Sequence, residues 1–370
     1  MNIVFLTRLE PRNIKNWSGT LYYIYGKLKE KHKVEIIGTE IIYQLASFSD
    51  QNFSTDTFIQ VDRYLTKLNR LLSERINSLN FDLVFYGDLF FLPVDFNIPM
   101  IILSDITFEL VKIHHTKPDE RNIDPCIILE KLLYENSFKI IYPSEWIKNR
   151  VKEIYHINPN KINVVEFGAN IPAPQNYSIN INIDVCRLVF IGINWERKGG
   201  DKILQAYKQL KNEGFPCTLT IIGSMPGEGQ EDDKNLNIIP FLDKTKQEDL
   251  QKLFNILSES HFLVLPTQFD AFGIVFCEAS AYGVPSIASD VGGVSQAIKE
   301  GKNGFLLPAD ATASDYAEKI KNVFNDKENY IKLRQSSRNE FETRLNWDVW
   351  GEKVNIILED AVEEWKGISG

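Results

Sequence analysis

Residues 262–308 read FLVLPTQFDAFGIVFCEASAYGVPSIASDVGGVSQAIKEGKNGFLLP, and this stretch decides the fold. An apolar strand, Phe262–Leu265, runs into a turn at Pro266. A glycine-bearing approach to a helix follows at Phe269–Gly273, and Glu278 lies inside that helix. A short strand at Pro285–Ala288 and a second glycine turn at Gly292–Gly293 complete the unit. Strand, glycine turn and helix in this order describe one repeat of a parallel sheet covered by helices. A helix N-terminus offers N–H groups without intrahelical partners and a partial positive charge, a seat for phosphate. Asp270 and Glu278 flank that seat, and carboxylates so placed bind sugar hydroxyls as they bind ribose in dinucleotide sites. Phosphate between two sets of hydroxyls describes a nucleotide-sugar.

Outward from this stretch, the same pattern recurs. The loop IGINWERKGG (Ile191–Gly200) follows a strand and opens a helix, and its Arg197 and Lys198 suit a diphosphate. Gly192 opens that loop, and Gly223 in IIGSMPGEG follows another strand, where a glycine lets backbone approach a ligand. Phe241 and Leu242 follow the next strand, at the carboxyl edge where open sheets hold ligands, and are candidates to hold a base. The acidic run Glu231–Asp232–Asp233 reads as a solvated loop, and no metal site is expected.

In the first half, WSGT places Gly19 between strand one and helix one, without the spacing of a dinucleotide fingerprint. Asp105, in LSDITF, follows a strand directly and either faces the cleft or caps Thr107–Phe108. His114 and His115 read as surface residues, and loop residues Phe90 and Phe91 as core or as support for a sugar ring or lipid.

Strand–helix alternation extends along the whole chain of 370 residues, a length suited to two domains. Expected strands are 2–6, 34–38, 83–86, 100–103, 140–142 and 163–165, then 187–191, 218–222, 236–239, 262–265, 286–288 and 304–306. Expected helices are 19–31, 65–79, 127–138 and 144–155, then 200–213, 246–258, 273–282 and 315–325. The stretch 169–184, rich in Asn, Ile and Pro, reads as a linker. WDVWGEKVNIILEDAVEEW reads as a terminal amphipathic helix that must bury its apolar face, with the first domain as a candidate place. The expected division is 1–170, a linker 171–185, 186–346, and a terminal helix 347–370.

Residues 1–170 hold 20 Lys+Arg and 21 Asp+Glu, and the remainder 21 and 29, so the net charge of −9 sits almost wholly in the second half. That disfavours nucleic acid as a partner. Lys27–Lys33 and Lys148–Lys152 are candidates for peripheral membrane contact, with solvated helix faces as the plainer account. No apolar run approaches the roughly 20 residues of a membrane span, and the start of the chain reads as a strand rather than a signal peptide. Cys126, Cys186, Cys217 and Cys277 lack metal-like spacing and read as buried free thiols in a cytoplasmic protein.

Taken together, these residues resemble the retaining glycosyltransferases of family four, of GT-B fold (glycosyl transferases group 1). The likeness rests on FDAFGIVFCE, RKGG, the IIGS loop, VLPT, GVPSIASDVGG and SEWIKNRVKEIYHINPNKINVVEFGAN, and is strongest over 186–310. It implies two facing Rossmann-like domains with the active site in the cleft between them, the donor held by the second and the acceptor by the first. It implies that Glu278 binds the donor ribose, Asp270 contacts the transferred sugar, and Lys198, assisted by Arg197, holds the diphosphate. N–H groups across Ala271, Phe272, Gly273 and Ile274 would support the phosphate and sugar.

Three departures stand out: Ile193 replaces an arginine common after the first-strand glycine, Ser104–Asp105 replaces a histidine pattern, and Asp270 is shorter than the usual glutamate. Any role at the sugar that the histidine fills elsewhere falls to Asp105.

The expected reaction is metal-independent transfer of a hexosyl unit, with retention, from a nucleotide diphosphate sugar to a saccharide, lipid-linked or protein-linked acceptor. UDP is preferred as the carrier because it is the commonest in the family, and no cofactor is required. Homo-oligomerisation is left open. An inactive binding protein of the same fold and a sugar-nucleotide epimerase are the alternatives.

Overall fold

The computed structural model describes residues 1–38, 57–87, 96–114, 124–174, 177–179, 181–225 and 233–369. The chain separates into two compact units, residues 1–165 with 351–370, and residues 166–350. The expected boundary at 170 therefore lies five residues late. The segment expected as a free linker is instead held by the second unit: Ala169 N–H donates to Leu345 O at 3.2 Å, and Tyr282 Oη to Pro172 O at 3.2 Å.

The first unit carries a six-stranded parallel sheet among its described residues. Its strands are β1 (Asn2–Thr7), β2 (Lys33–Gly38), β3 (Leu83–Tyr86), β4 (Met100–Leu103), β5 (Lys139–Tyr142) and β6 (Ile162–Val164), in the spatial order β2-β1-β3-β4-β5-β6. Around it lie α1 (Thr20–Lys31), α2 (Thr57–Asn77), α3 (Phe108–His114), α4 (Asp124–Asn136) and α5 (Glu145–Tyr155). Strands β3 and β4 are buried along their full length, which is why LVFY and MIIL read as continuous apolar runs rather than alternating ones. Ser144 caps α5 by accepting from Ile147 N–H.

The second unit repeats the plan. Strands β7 (Cys186–Ile191), β8 (Cys217–Ile222), β9 (Leu236–Ile239), β10 (Phe262–Leu265), β11 (Ser286–Ser289) and β12 (Gly304–Leu307) take the order β12-β11-β10-β7-β8-β9, all parallel. Its helices are α6 (Gly200–Asn212), α7 (Gln247–Glu259), α8 (Ile274–Ala281), the short α9 (Val294–Ala297), α10 (Ala313–Asn325) and α11 (Lys327–Thr343). Chain order runs outward from β7 to β9, then returns to β10 on the other side of β7. The order therefore reverses between β7 and β10, and an open sheet forms a ligand crevice at the carboxyl ends of two such strands.

The last helix, α12 (Trp347–Ser369), starts in the second unit and contributes its residues from Gly351 onward to the first. There Asn355 Oδ1 lies 2.8 Å from His32 Nε2, and the Trp365 ring meets Phe138 edge-on at 5.5 Å. Trp347 and Trp350 share a face as the sequence suggests, their centroids 5.3 Å apart, and Trp350 is fully buried.

Three helices lie outside the expected ranges, α3, the four-residue α9 and α11. Helix α3 opens immediately after the Asp105 loop. Helix α11 conceals its apolar stripe because Arg334 and Ser337, both buried, occupy its inner face beside Tyr330 and Leu333. Arg334 Nη1 is held there by Ser260 O at 2.9 Å. Helix α2 begins at Thr57 rather than 65. No helix among the described residues is long and apolar enough to cross a membrane.

Candidate functional site

Three residues singled out in the second half, Arg197, Lys198 and Asp270, meet at the β7/β10 reversal point. The loop after β7 brings Lys198 and Arg197; the loop after β10 brings Asp270. Lys198 Nζ lies 2.6 and 2.8 Å from the two carboxylate oxygens of Asp270, and the side chains are only 12% and 11% exposed. Arg197 Nη1 donates to Phe269 O at 2.7 Å and lies 3.8 Å from Asp270 Oδ1. Backbone carbonyls join the loops as well: Arg197 O accepts from Gln268 N–H at 2.7 Å and from Thr267 Oγ1 at 3.2 Å.

Two glycines make this close approach feasible. Gly199 has φ +77°, and a Cβ there would lie 2.0 Å from Pro266 O, so only glycine lets the two loops meet. A Cβ on Gly192 would press to 2.9 Å on Lys198 Cγ, so its absence leaves room for the lysine stem. Gly223 opens the loop after β8 against Gly192, where a Cβ would lie 3.0 Å from Gly192 O, and its N–H donates to Ile239 O at 3.0 Å at the end of β9.

Burial holds the Lys198 ammonium below the usual lysine range; the Asp270 charge acts in the other direction, and Arg197 adds to the lowering. Beside the pair, Gly273 caps α8 in the left-handed region and no side chain caps that N-terminus; its first turn carries no acid. An N-terminus in this state is a seat for an anion. The second glycine turn also closes on the same place, Gly293 N–H donating to Asp270 O at 2.9 Å. Ala271 lies between Asp270 and the helix start, while the Phe272 side chain is buried edge-on against Phe167 at 5.7 Å.

Glu278 lies inside α8, 4% exposed, and pairs with Lys244, whose Nζ is 2.5 Å from Oε1. Lys244 was not singled out in the sequence; its signal was a cation two residues past Leu242 on the segment after β9. Phe241 is 65% exposed and Leu242 is buried, on the segment whose backbone is the candidate to hold a base. Ile193, at the place of the family's arginine, is 75% exposed. Asp233 is tied to Tyr207 Oη at 2.9 Å and Lys211 Nζ at 2.7 Å, whereas Glu231 and Asp232 lie outside the described residues.

Gly19 and Asp105 belong to the first unit. Gly19 caps α1 with φ +96°, after Trp17 and Ser18 in the same left-handed region, and Trp17 Nε1 donates to Asp105 Oδ2 at 3.3 Å. The Phe108 N–H that Asp105 was a candidate to cap goes to Glu130 Oε2 at 2.9 Å. Glu130 is fully buried, and also accepts from Tyr134 Oη at 2.7 Å and from Tyr155 Oη. Burial pushes its carboxyl up to about 7 despite these three donors. His114 is exposed; His115 and the loop 89–95, with Phe90 and Phe91, lie outside the described residues. Cys186, Cys217 and Cys277 are buried free thiols as expected, but Cys126 is half-buried.

Residues 179–340 match the family described as glycosyl transferases group 1. A D-inositol 3-phosphate glycosyltransferase of Corynebacterium aurimucosum is 22% identical over 344 residues, 87% of this chain and 78% of that one. Five further curated relatives are matched over 42% to 66% of their own length. Among solved structures, a sucrose-phosphate synthase from Thermosynechococcus elongatus superposes with TM-score 0.69 at 14% identity, covering 97% of this chain and 98% of that one. Anabaena HepE in complex with UDP and glucose superposes with TM-score 0.64 at 14% identity, over 97% and 100%. The two parallel sheets are those of the GT-B fold.

Proposed function

We propose that the chain, whose residues 179–340 match the glycosyl transferases group 1 family, is a member of that family and transfers a hexosyl unit from a nucleotide diphosphate sugar with retention. The observation that carries this reading is the cationic pair Arg197 and Lys198 set against Asp270 at the sheet's reversal point, beside the uncapped start of α8.

Departure of a nucleoside diphosphate places negative charge on a phosphate oxygen, and preorganised donors aimed at that charge lower the barrier. Lys198 supplies a compact charge, Arg197 a fork, and the first N–H groups of α8, from Gly273 and Ile274, a dipole. Before the donor arrives Lys198 is neutralised by Asp270, which spares a desolvated cation in the free protein. Asp270 then holds a hydroxyl of the transferred sugar, and Glu278 the ribose hydroxyls. Phe241 and Leu242 sit on the segment proposed to flank the base, and Gly192 and Gly223 leave backbone open near the diphosphate.

With no carboxylate assigned as a covalent nucleophile, attack comes from the face of the departing phosphate, whose oxygen accepts the acceptor's proton. The transition state has oxocarbenium character, as in glycoside hydrolysis. The chemistry requires no metal. Asp105 is proposed to act on the transferred sugar. UDP is the favoured carrier, in keeping with the UDP and glucose bound to HepE. The acceptor is a saccharide, a lipid-linked or a protein-linked glycan.

The test is incubation with UDP-, GDP-, ADP- and dTDP-hexoses, following released nucleotide and, by proton NMR before mutarotation, the anomer of the sugar product. Release of nucleotide with the donor's anomeric configuration kept supports the proposal. No turnover of any donor marks an inactive binding protein, an epimerised donor an epimerase, and an inverted product a different mechanism.

A further inference from the structure

The pair formed by Lys244 and Glu278 joins two segments of the second unit that are distant in sequence, the loop after β9 and the middle of α8. Glu278 is almost wholly removed from water, its side chain 5% exposed, while Lys244 keeps 29% exposure. Among the described residues Lys244 is the only side-chain partner of Glu278. A carboxylate removed from water is held in place by the partner that satisfies it, because an unpaired buried charge is costly. The ammonium at 2.5 Å from Oε1 is that partner, and by engaging that oxygen it leaves Oε2 as the one to receive a ligand.

We propose that Lys244 is a positioning residue of the donor site, engaging one oxygen of Glu278 and turning the carboxylate so that its second oxygen receives the ribose hydroxyls. This rests on the reading above in which Glu278 holds the ribose. The two carboxylates of the site are then each matched to a lysine from a different loop, Asp270 to Lys198 and Glu278 to Lys244, which leaves Arg197 as the excess cation before a dianionic diphosphate arrives.

The experiment compares a nucleoside diphosphate with its 2′,3′-dideoxy form, using whichever of UDP, GDP and ADP binds the protein tightest by calorimetry. Wild type is expected to prefer the ribose form by about 10- to 100-fold, since the lost hydrogen bonds are to a charged group. In Lys244→Gln the preference falls toward unity, while inorganic pyrophosphate binds as to wild type. Lys244→Arg keeps the preference. A lysine with a merely structural role would lower the melting temperature in Lys244→Gln without changing the ribose preference, and that result overturns the proposal. A wild type that binds nucleotides with no ribose preference overturns instead the assignment of Glu278, and the proposal falls with it.

Discussion

Replacing Lys198 with alanine separates the structural from the functional part of the candidate phosphate site. The ammonium lies 2.6 and 2.8 Å from the Asp270 oxygens, both side chains nearly enclosed. Removing one partner of a fully buried pair costs about 3–5 kcal/mol, because the remaining charge is uncompensated. Two features reduce that here. Arg197 Nη1 stays 3.8 Å from Asp270 Oδ1, and burial opposes the Lys198 charge more than Asp270 supports it, so the pair is a net compromise. A loss of about 2 kcal/mol is therefore expected, or about 4–8 °C in melting temperature for a unit of this size.

The functional loss should be larger. A preorganised donor to developing charge contributes about 100- to 1,000-fold in rate. Lys198→Ala, assayed at 25 °C where it is folded, should lose at least that much donor turnover, and nucleoside diphosphate should bind more weakly by calorimetry. In the double variant Lys198→Ala with Asp270→Asn, stability should return while nucleotide binding does not. If Lys198→Ala bound nucleoside diphosphate as wild type does, the phosphate assignment would be refuted. If the double variant melted no higher than the single one, the ion-pair account of stability would fail.

The buried carboxylate of Glu130 predicts a pH dependence of stability. Its folded value of about 7 lies above the ordinary glutamate value, so the folded state holds the proton more tightly than the unfolded chain. The stabilisation is fully present below the unfolded value and is lost as pH rises to about 7, a change of up to about 3 kcal/mol. Glu130→Gln, which cannot ionise, should flatten the difference between melting at pH 5 and at pH 8; equal slopes in the two proteins would contradict it. Gly199→Ala should cost about 3 kcal/mol or more by chemical denaturation, since it combines strain at φ +77° with a Cβ 2.0 Å from Pro266 O; a cost under about 1 kcal/mol would show that the loops do not meet so closely. Asp105→Asn should lower sugar transfer while leaving nucleoside diphosphate affinity unchanged, and an equal loss of both would place it among donor-holding residues.

Much of this architecture is written locally. Runs such as FLVL and MIIL declare buried parallel strands, and the glycines around RKGG and DAFG mark the turns where strands hand over to helices. Sheet order is not local: that β10 returns to the flank of β7, bringing Lys198 to Asp270 across 72 residues, follows from packing that no short window contains. Lys244 was missed for the same reason, since a lysine in a polar loop acquires meaning only when Glu278, 34 residues away, is seen beside it. Glu130 looked like one polar position in ILEKLLYEN, and its three donors come from α3, α4 and the end of α5. Helix α11 eluded periodicity because a buried arginine, its Nη1 held by backbone of another segment, stands where an apolar residue was sought.

The most direct test is a crystal structure of the protein with an intact nucleotide diphosphate hexose. The expected result is diphosphate oxygens within hydrogen-bond reach of Lys198 Nζ and the first N–H groups of α8, with ribose on Glu278. Clear density for the ligand elsewhere, with Lys198 still closed on Asp270, would contradict it.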